Sequence, residues 1–365
     1  MRRSALTAHA MKNPGASIGE RAEWRRLLQS EIRQVIGCTE PACIAYALRT
    51  AARHLTGRLD LGSCRATLHL SEEVFRNAST ATVPFLKLRG IRAAAAAGLA
   101  SKAHGLNVFP TMRPAAARRL LRRRGWLRIE PLPRQGLYVR AELVNHRDQV
   151  TVVIEGRHDR IVEITRKGRP RVRSRLAGPA APNLSAIYRI AGLRDWGLER
   201  QAKDFLLHQP WGDPAKPMGA RLARLITERM TGVPHAVWTI TGSGNQGLFL
   251  ALPLLELYRA RGRQALPVVV FALLTQVHLG VVRKRISDVC GLANKAAPAL
   301  AAGLAFAQGA DLPRIRRTIR EVTRSLADMK CRGARASCGD KAIRALQAAQ
   351  QAAGSLDPRA SPDGV

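Results

Sequence analysis

The segment Asp328-Met329-Lys330-Cys331-Arg332-Gly333-Ala334-Arg335-Ala336-Ser337-Cys338-Gly339-Asp340-Lys341 limits the fold more than any other part of the chain. Its two cysteines lie seven residues apart, and a third, Cys290, stands well upstream of both. On an unbroken helix that separation would set the two sulfurs about 10 Å apart along the axis, too far to share one small metal centre. Gly333 and Gly339 lift the restriction, because glycine lets the backbone turn where a helix would hold the thiols apart. Three thiolates meeting there would suit an iron–sulfur cluster with one iron left free of protein ligands. Three buried, inert cysteines would show the same spacing, since free cysteine is among the most buried residue types. Neither a CxxC pair nor a ferredoxin-type run decides between them.

At 365 residues the chain has room for one large domain or two moderate ones, each with a real core. Aromatic residues make up only 4% while alanine and leucine abound, which favours helices over a β-sandwich. Sixty Lys and Arg face 26 Asp and Glu, a net charge of +34 that draws polyanions. Yet the arginines run from Arg2 to Arg359, with no RNP-like aromatic pattern, zinc-finger spacing or recognition helix among them. The charge therefore reads as a biased surface with incidental polyanion binding, not as a nucleic-acid site. Six cysteines in so long a chain do not form a disulfide framework, and a reducing, cytoplasmic setting is expected. Residues 1–28 hold no apolar run of the kind a secretory signal needs. The stretch Ala265 to Val282 is the most membrane-like, but Thr275, Gln276 and His278 interrupt it, and it reads as a buried core helix with no membrane contact.

From Glu23, apolar residues at helical spacing (Leu27, Leu28, Ile32, Val35) predict a helix ending at Gly37. Gly37-Cys38-Thr39-Glu40-Pro41 then starts a second helix, with Pro41 in its first turn. A thiol at a helix N-terminus feels the positive end of the dipole, so Cys38 is expected to have a lowered pKa, with Glu40 as a carboxylate beside it. An ordinary capped turn with a buried cysteine is the plainer alternative. A strand over Cys64 to Leu70 and an alanine-rich helix over Gly90 to Lys102 follow. Three more strands, at 137–143, 150–155 and 161–165, form a small antiparallel meander. Beyond a stretch rich in Arg, Gly and Pro at 167–182, almost everything reads as helix, including Ile286 to Phe306 and Ser337 to Ala353. The expected class is α+β, a mostly helical body with a small antiparallel sheet in the N-terminal half. The organisation read from the sequence is an extension over 1–22, an α/β region over 23–166, a linker over 167–182, a helical region over 183–354 and a tail over 355–365. Gly242-Ser243-Gly244-Asn245-Gln246-Gly247 leads into another helix, where backbone N–H groups and the helix dipole favour an anion. It is neither a Walker A nor a dinucleotide fingerprint.

Taken together, these segments resemble the L-cysteine desulfidase family and its relative, the iron–sulfur L-serine dehydratase alpha chain. The resemblance rests on Gly37-Cys38-Thr39-Glu40-Pro41, Phe75-Arg76-Asn77-Ala78, Glu155-Gly156-Arg157-His158, Thr241 to Gly247, Ser287-Asp288-Val289-Cys290-Gly291 and Met329 to Cys338. It runs in order from about Glu23 to Ala353. It implies a 4Fe-4S cluster on Cys290, Cys331 and Cys338, and no pyridoxal phosphate. It further implies a lyase that eliminates hydrosulfide from L-cysteine, or water from L-serine, leaving pyruvate and ammonia. Thr39, Glu40, Asn77, Ser243, Gly244, Asn245 and Gln246 would bind the amino acid. Cys38, as thiolate, would take the Cα proton, with His158 the second choice of base. An inactive or regulatory relative is the alternative, a basic nucleic-acid-binding protein is the third reading, and a homodimer is the default assembly. Three departures from the family pattern stand out: Arg332 and Arg335 replace an acidic residue and a lysine, and the 82–90 stretch is bulkier and more basic. A cation beside the cluster would favour its more negative form.

Overall fold

The computed structural model describes residues 16–146, 148–174 and 181–354. Helix α1 (Ile18–Glu31) starts on Ser17, whose hydroxyl accepts from the Glu20 amide. Strand β1 (Ile32–Ile36) follows without a break, then α2 (Thr39–Arg53), β2 (Arg65–Ser71) and α3 (Glu72–Thr80). The short ribbon β3 (Thr82–Val83) and β4 (Leu88–Arg89) leads to α4 (Ile91–Ala100) and α5 (Pro114–Arg122). Strands β5 (Leu127–Leu132), β6 (Tyr138–Asn145), β7 (Asp148–Glu155), β8 (Ile161–Arg166) and β9 (Arg169–Arg173) complete the first half. The second half holds α6 (Leu184–Gly192), α7 (Trp196–Leu207), α8 (Met218–Met230), β10 (Ala236–Ile240) and α9 (Gly244–Arg261). It ends with α10 (Leu266–Val282), a π-helical turn (Leu292–Ala296), α11 (Ala297–Ala307), α12 (Leu312–Ser325) and α13 (Cys338–Ala353).

The fold is of the expected α+β class, but its sheet is larger than the meander read from the sequence. Six strands lie in the order β5-β2-β6-β7-β8-β9, all antiparallel except the β2–β5 pair at one end. β5 grows from the basic stretch after α5, where Leu127 and Ile129 reach the hydrophobic core. Helix α2 lies on β6 and β7 and is buried nearly all round. Within 167–182, Arg169–Arg173 is a strand, and 175–180 lie outside the described residues, as do 1–15 and the tail 355–365.

The helix expected through Ile32 and Val35 stops at Glu31 instead. Residues Ile32–Ile36 pair antiparallel with β10, from Ile32↔Ile240 to Ile36↔Ala236. Their spacing suits a helix, but Ile32, Val35 and Ile36 are β-branched, and a distant partner strand decides the outcome. The long helix expected from Ile286 is likewise shortened, because an isolated bridge between Val289 and Lys330 holds the preceding segment extended. The helical body is centred on α10 and α11, apolar on every side and almost wholly buried, as the sequence suggested for 265–282. The run Gly244–Val282 is long and apolar enough to cross a membrane, but 83% of its most apolar window is buried inside the protein.

Small residues let α2 and α4 approach closely. A Cβ on Gly98 would lie 2.3 Å from the Ala45 carbonyl oxygen and 2.7 Å from its Cα. Both atoms are backbone, so neither helix can give way locally. Gly98→Val should cost about 1–3 kcal/mol as an overpacking change, seen as a lower denaturant midpoint. An unchanged midpoint would show that the two helices can separate freely.

Candidate active site

The site begins where β1 hands over to α2. Gly37 has φ +84, and a Cβ there would meet Pro84 Cγ at 2.7 Å, so the turn suits glycine twice over. Cys38 caps α2, and Glu40 follows in the first turn, 9% exposed. Glu40 gathers donors from several segments. Its Oε2 accepts from Cys38 Sγ at 2.9 Å and Thr39 Oγ1 at 3.2 Å, and its Oε1 accepts from Asn77 Nδ2, on α3, at 3.1 Å. His158 Nε2 stands 3.7 Å from Oε1, beyond hydrogen-bond distance. Burial alone would raise the Glu40 carboxyl, but His158 and the Cys38 thiol outweigh it and hold it at about 2.

This arrangement corrects the expectation for Cys38. The helix dipole was expected to lower its pKa, but burial and the adjacent Glu40 carboxylate push the thiol well above its ordinary value. At neutral pH Cys38 keeps its proton and donates it to Glu40. His158 is 4% exposed, and neither ring nitrogen has a hydrogen-bond partner. Its ring fits against Gly242, where a Cβ would lie 2.5 Å from Nδ1.

From the end of β10 the chain turns through Gly242, at φ +81, into α9. Ser243 caps that helix by accepting from the Gln246 amide at 3.4 Å. Asn245 Oδ1 accepts from Arg229 Nη1, and Arg229 Nη2 donates to the Gly37 carbonyl at 2.6 Å. Gln246 Oε1 accepts from Gln276 Nε2 on α10, which also donates to Thr241 Oγ1 at 2.9 Å. Gly247 has no room for a side chain, since a Cβ would stand 2.0 Å from the Trp238 carbonyl oxygen.

The three cysteines arrive on two linked loops and a helix start. Cys290 N–H donates to the Met329 carbonyl at 2.9 Å and Cys331 N–H to the Asp288 carbonyl at 2.6 Å, zipping the loops together. Cys338 opens α13, which is pinned at Gly339, where a Cβ would meet Thr227 Oγ1 at 2.3 Å. All three thiols are free, and burial raises each one. Backbone N–H groups oppose that rise: those of Leu292 and Ala293 at Cys290, Gly333 at Cys331 and Arg335 at Cys338. Cys331 Sγ also donates to Asn77 Oδ1 at 3.4 Å, so Asn77 joins the cysteine loop to Glu40.

These groups surround one cavity of about 110 Å³, and every residue singled out in the sequence lines it: Cys38, Thr39, Glu40, Asn77, His158, Ser243, Gly244, Asn245, Gln246, Cys290, Cys331 and Cys338. Arg229 and Lys295 line it too, and sequence reasoning missed both. Arg229 sits in an amphipathic helix rich in charge and carried no signal. Lys295 is the sole charged residue between Cys290 and Phe306, which was legible. Arg332 and Arg335, which depart from the family pattern, are exposed and do not line the cavity. No residue of 82–90 lines the cavity either. Among the described residues, no three His, Cys, Asp or Glu side chains gather closely enough to hold a single metal ion.

An ordinary carboxyl of 4.5 held at about 2 makes Glu40 a source of acid sensitivity. Its contribution to stability is complete above 4.5 and is lost as pH falls through about 2. Denaturant unfolding of wild type and Glu40→Gln across that window should show a flatter pH dependence for the variant. Parallel curves would mean that the carboxylate is not stabilised in the fold.

Comparison with known proteins matches residues 140–356 to the family described as serine dehydratase alpha chain. Relatives over nearly the full length are each named UPF0597 protein. One from Nitratidesulfovibrio vulgaris is 28% identical, covering 88% of this chain and 87% of its own. One from Thermosipho africanus is 25% identical over 90% and 88%, and one from Clostridium perfringens 26% identical over 90% and 86%. No solved structure matches. The matched region carries the Ser243 loop and all three cavity cysteines, and the chain belongs to the serine dehydratase alpha chain family.

Proposed function

We propose that the chain is an iron–sulfur lyase that converts L-cysteine to pyruvate, ammonia and hydrogen sulfide, with L-serine, losing water instead, as the alternative substrate. Family membership supports a lyase role in amino-acid breakdown. The observation that carries the reading is that Cys290, Cys331 and Cys338 open on the same cavity as Glu40, His158 and the Ser243 loop.

The donor chemistry fits a 4Fe-4S cluster. Three free thiols meet backbone N–H groups that favour the thiolate, on loops tied to each other by backbone hydrogen bonds. Cys290, Cys331 and Cys338 would hold the cluster, which would supply a Lewis-acidic iron for the leaving group.

The remaining work belongs to side chains. His158 takes the Cα proton, because it is buried in the cavity wall with no competing hydrogen bond. Its Nε2 faces the ionised Glu40, which steadies the imidazolium as it forms. Cys38, Thr39 and Asn77 fix that carboxylate, so Cys38 is a positioning residue in this scheme. The electron pair left at Cα forms the Cα–Cβ double bond, and the Cβ–S bond breaks with its pair going to sulfur. The aminoacrylate released takes up water and yields pyruvate and ammonia. The N-terminus of α9 at Ser243 to Gln246, with Arg229 behind it, favours the substrate carboxylate.

Anaerobically reconstituted protein should be brown and release pyruvate and sulfide in equal amounts from cysteine. A serine reaction run in parallel fixes the leaving group. Iron-loaded protein that makes pyruvate from neither amino acid would sink the assignment. His158→Asn should keep the cluster's absorbance while turnover falls by about a hundredfold or more, and undiminished turnover would remove His158 as the base.

A further inference from the structure

Lys295 is 1% exposed, yet no carboxylate pairs with it among the described residues. Its Nζ donates to the Lys284 carbonyl at 3.2 Å, one acceptor for a group with three donors. Burying an ammonium so poorly matched costs stability unless an anion joins it. The local backbone is shaped to place it there. Leu292–Ala296 is a π-helical turn, which shifts the side chains that follow Gly291 relative to an α-helix. Lys284 itself sits at φ +60, a left-handed position that non-glycine residues seldom adopt.

Lys295 lines the cavity together with Cys290 and Cys331, and a Cβ on Gly291, next to Cys290, would stand 3.7 Å from its Cε. Glu40, the cavity's carboxylate, is taken up by Cys38, Thr39 and Asn77. The neighbouring cation Arg283 is occupied with the Asn294 carbonyl and Thr323 Oγ1.

We propose that Lys295 is a positioning residue of the cysteine site, whose buried ammonium balances the negative charge of the thiolates when they hold a cluster. The inference rests on the cluster reading above. On this assignment Lys295 supports retention of the cluster, while its burial beside a single acceptor costs the fold stability. A lysine kept only to hold the Lys284 carbonyl would behave in the opposite way.

Lys295→Met and Lys295→Arg separate the two roles. Cluster-free Lys295→Met should melt at or above the wild-type temperature, because an uncompensated buried charge has been removed. Its reconstituted form should lose iron to a chelator about 10- to 100-fold more readily than wild type, the usual effect of removing a group that supports metal ligands. Lys295→Arg, which keeps the charge, should retain iron better than Lys295→Met. Iron retention by Lys295→Met equal to that of wild type overturns the inference alone, as does a cluster-free melting temperature below wild type with retention unchanged. A wild-type protein that takes up no iron overturns this inference together with the cluster reading.

Discussion

The buried guanidinium of Arg229 fastens together the two loops on which the site is built. It bonds the Gly37 carbonyl on one side and the Asn245 amide oxygen on the other, and burial lowers it to about 10. No carboxylate neutralises it within ion-pair reach among the described residues, so its charge is carried by oriented dipoles and by the cavity itself. Without it, both oxygens would be buried and unsatisfied, and the turn before α2 would lose its tie to the start of α9. The geometry of Glu40 and of the Ser243 loop therefore follows from one side chain outside either motif.

The charges around the cavity are divided by place. Glu40 stays anionic beside His158 because three donors satisfy it. Arg229 and Lys295 are cationic and have no acidic partner within ion-pair reach among the described residues. Thiols made reluctant to ionise by burial line the same cavity, countered by backbone N–H groups. Uncompensated positive charge set in an otherwise apolar body makes this a cavity suited to anions.

Much of this was legible in the sequence. Gly37 to Pro41 and Gly242 to Gly247 announced helix starts through Pro41, Ser243 and their glycines, and both starts are present. The α2 and α4 helices followed from their alanine content. Other features depend on partners far away in the chain. Ile32–Ile36 has helical spacing and becomes a strand only because β10 lies beside it. The segment before Cys290 is held extended by Lys330. The rise in the Cys38 pKa needed the position of the Glu40 oxygens, which no local pattern gives. Arg229 looks like any surface arginine until its helix is packed.

The antiparallel ribbon of β1 and β10 has a consequence for how the parts of the cavity are shared along the chain. The region matched by the family starts at residue 140, inside β6, and holds the thiols, His158 and the Ser243 loop. Among the described residues, the one carboxylate that lines the cavity, Glu40, and Asn77 come from the segment ahead of it, delivered by β1 and α3. Cutting the chain at that boundary would divide the sheet and part the thiols from the acid group. Each half would then hold an incomplete site, and rejoining them would have to restore this ribbon and the β2–β6 pairing together.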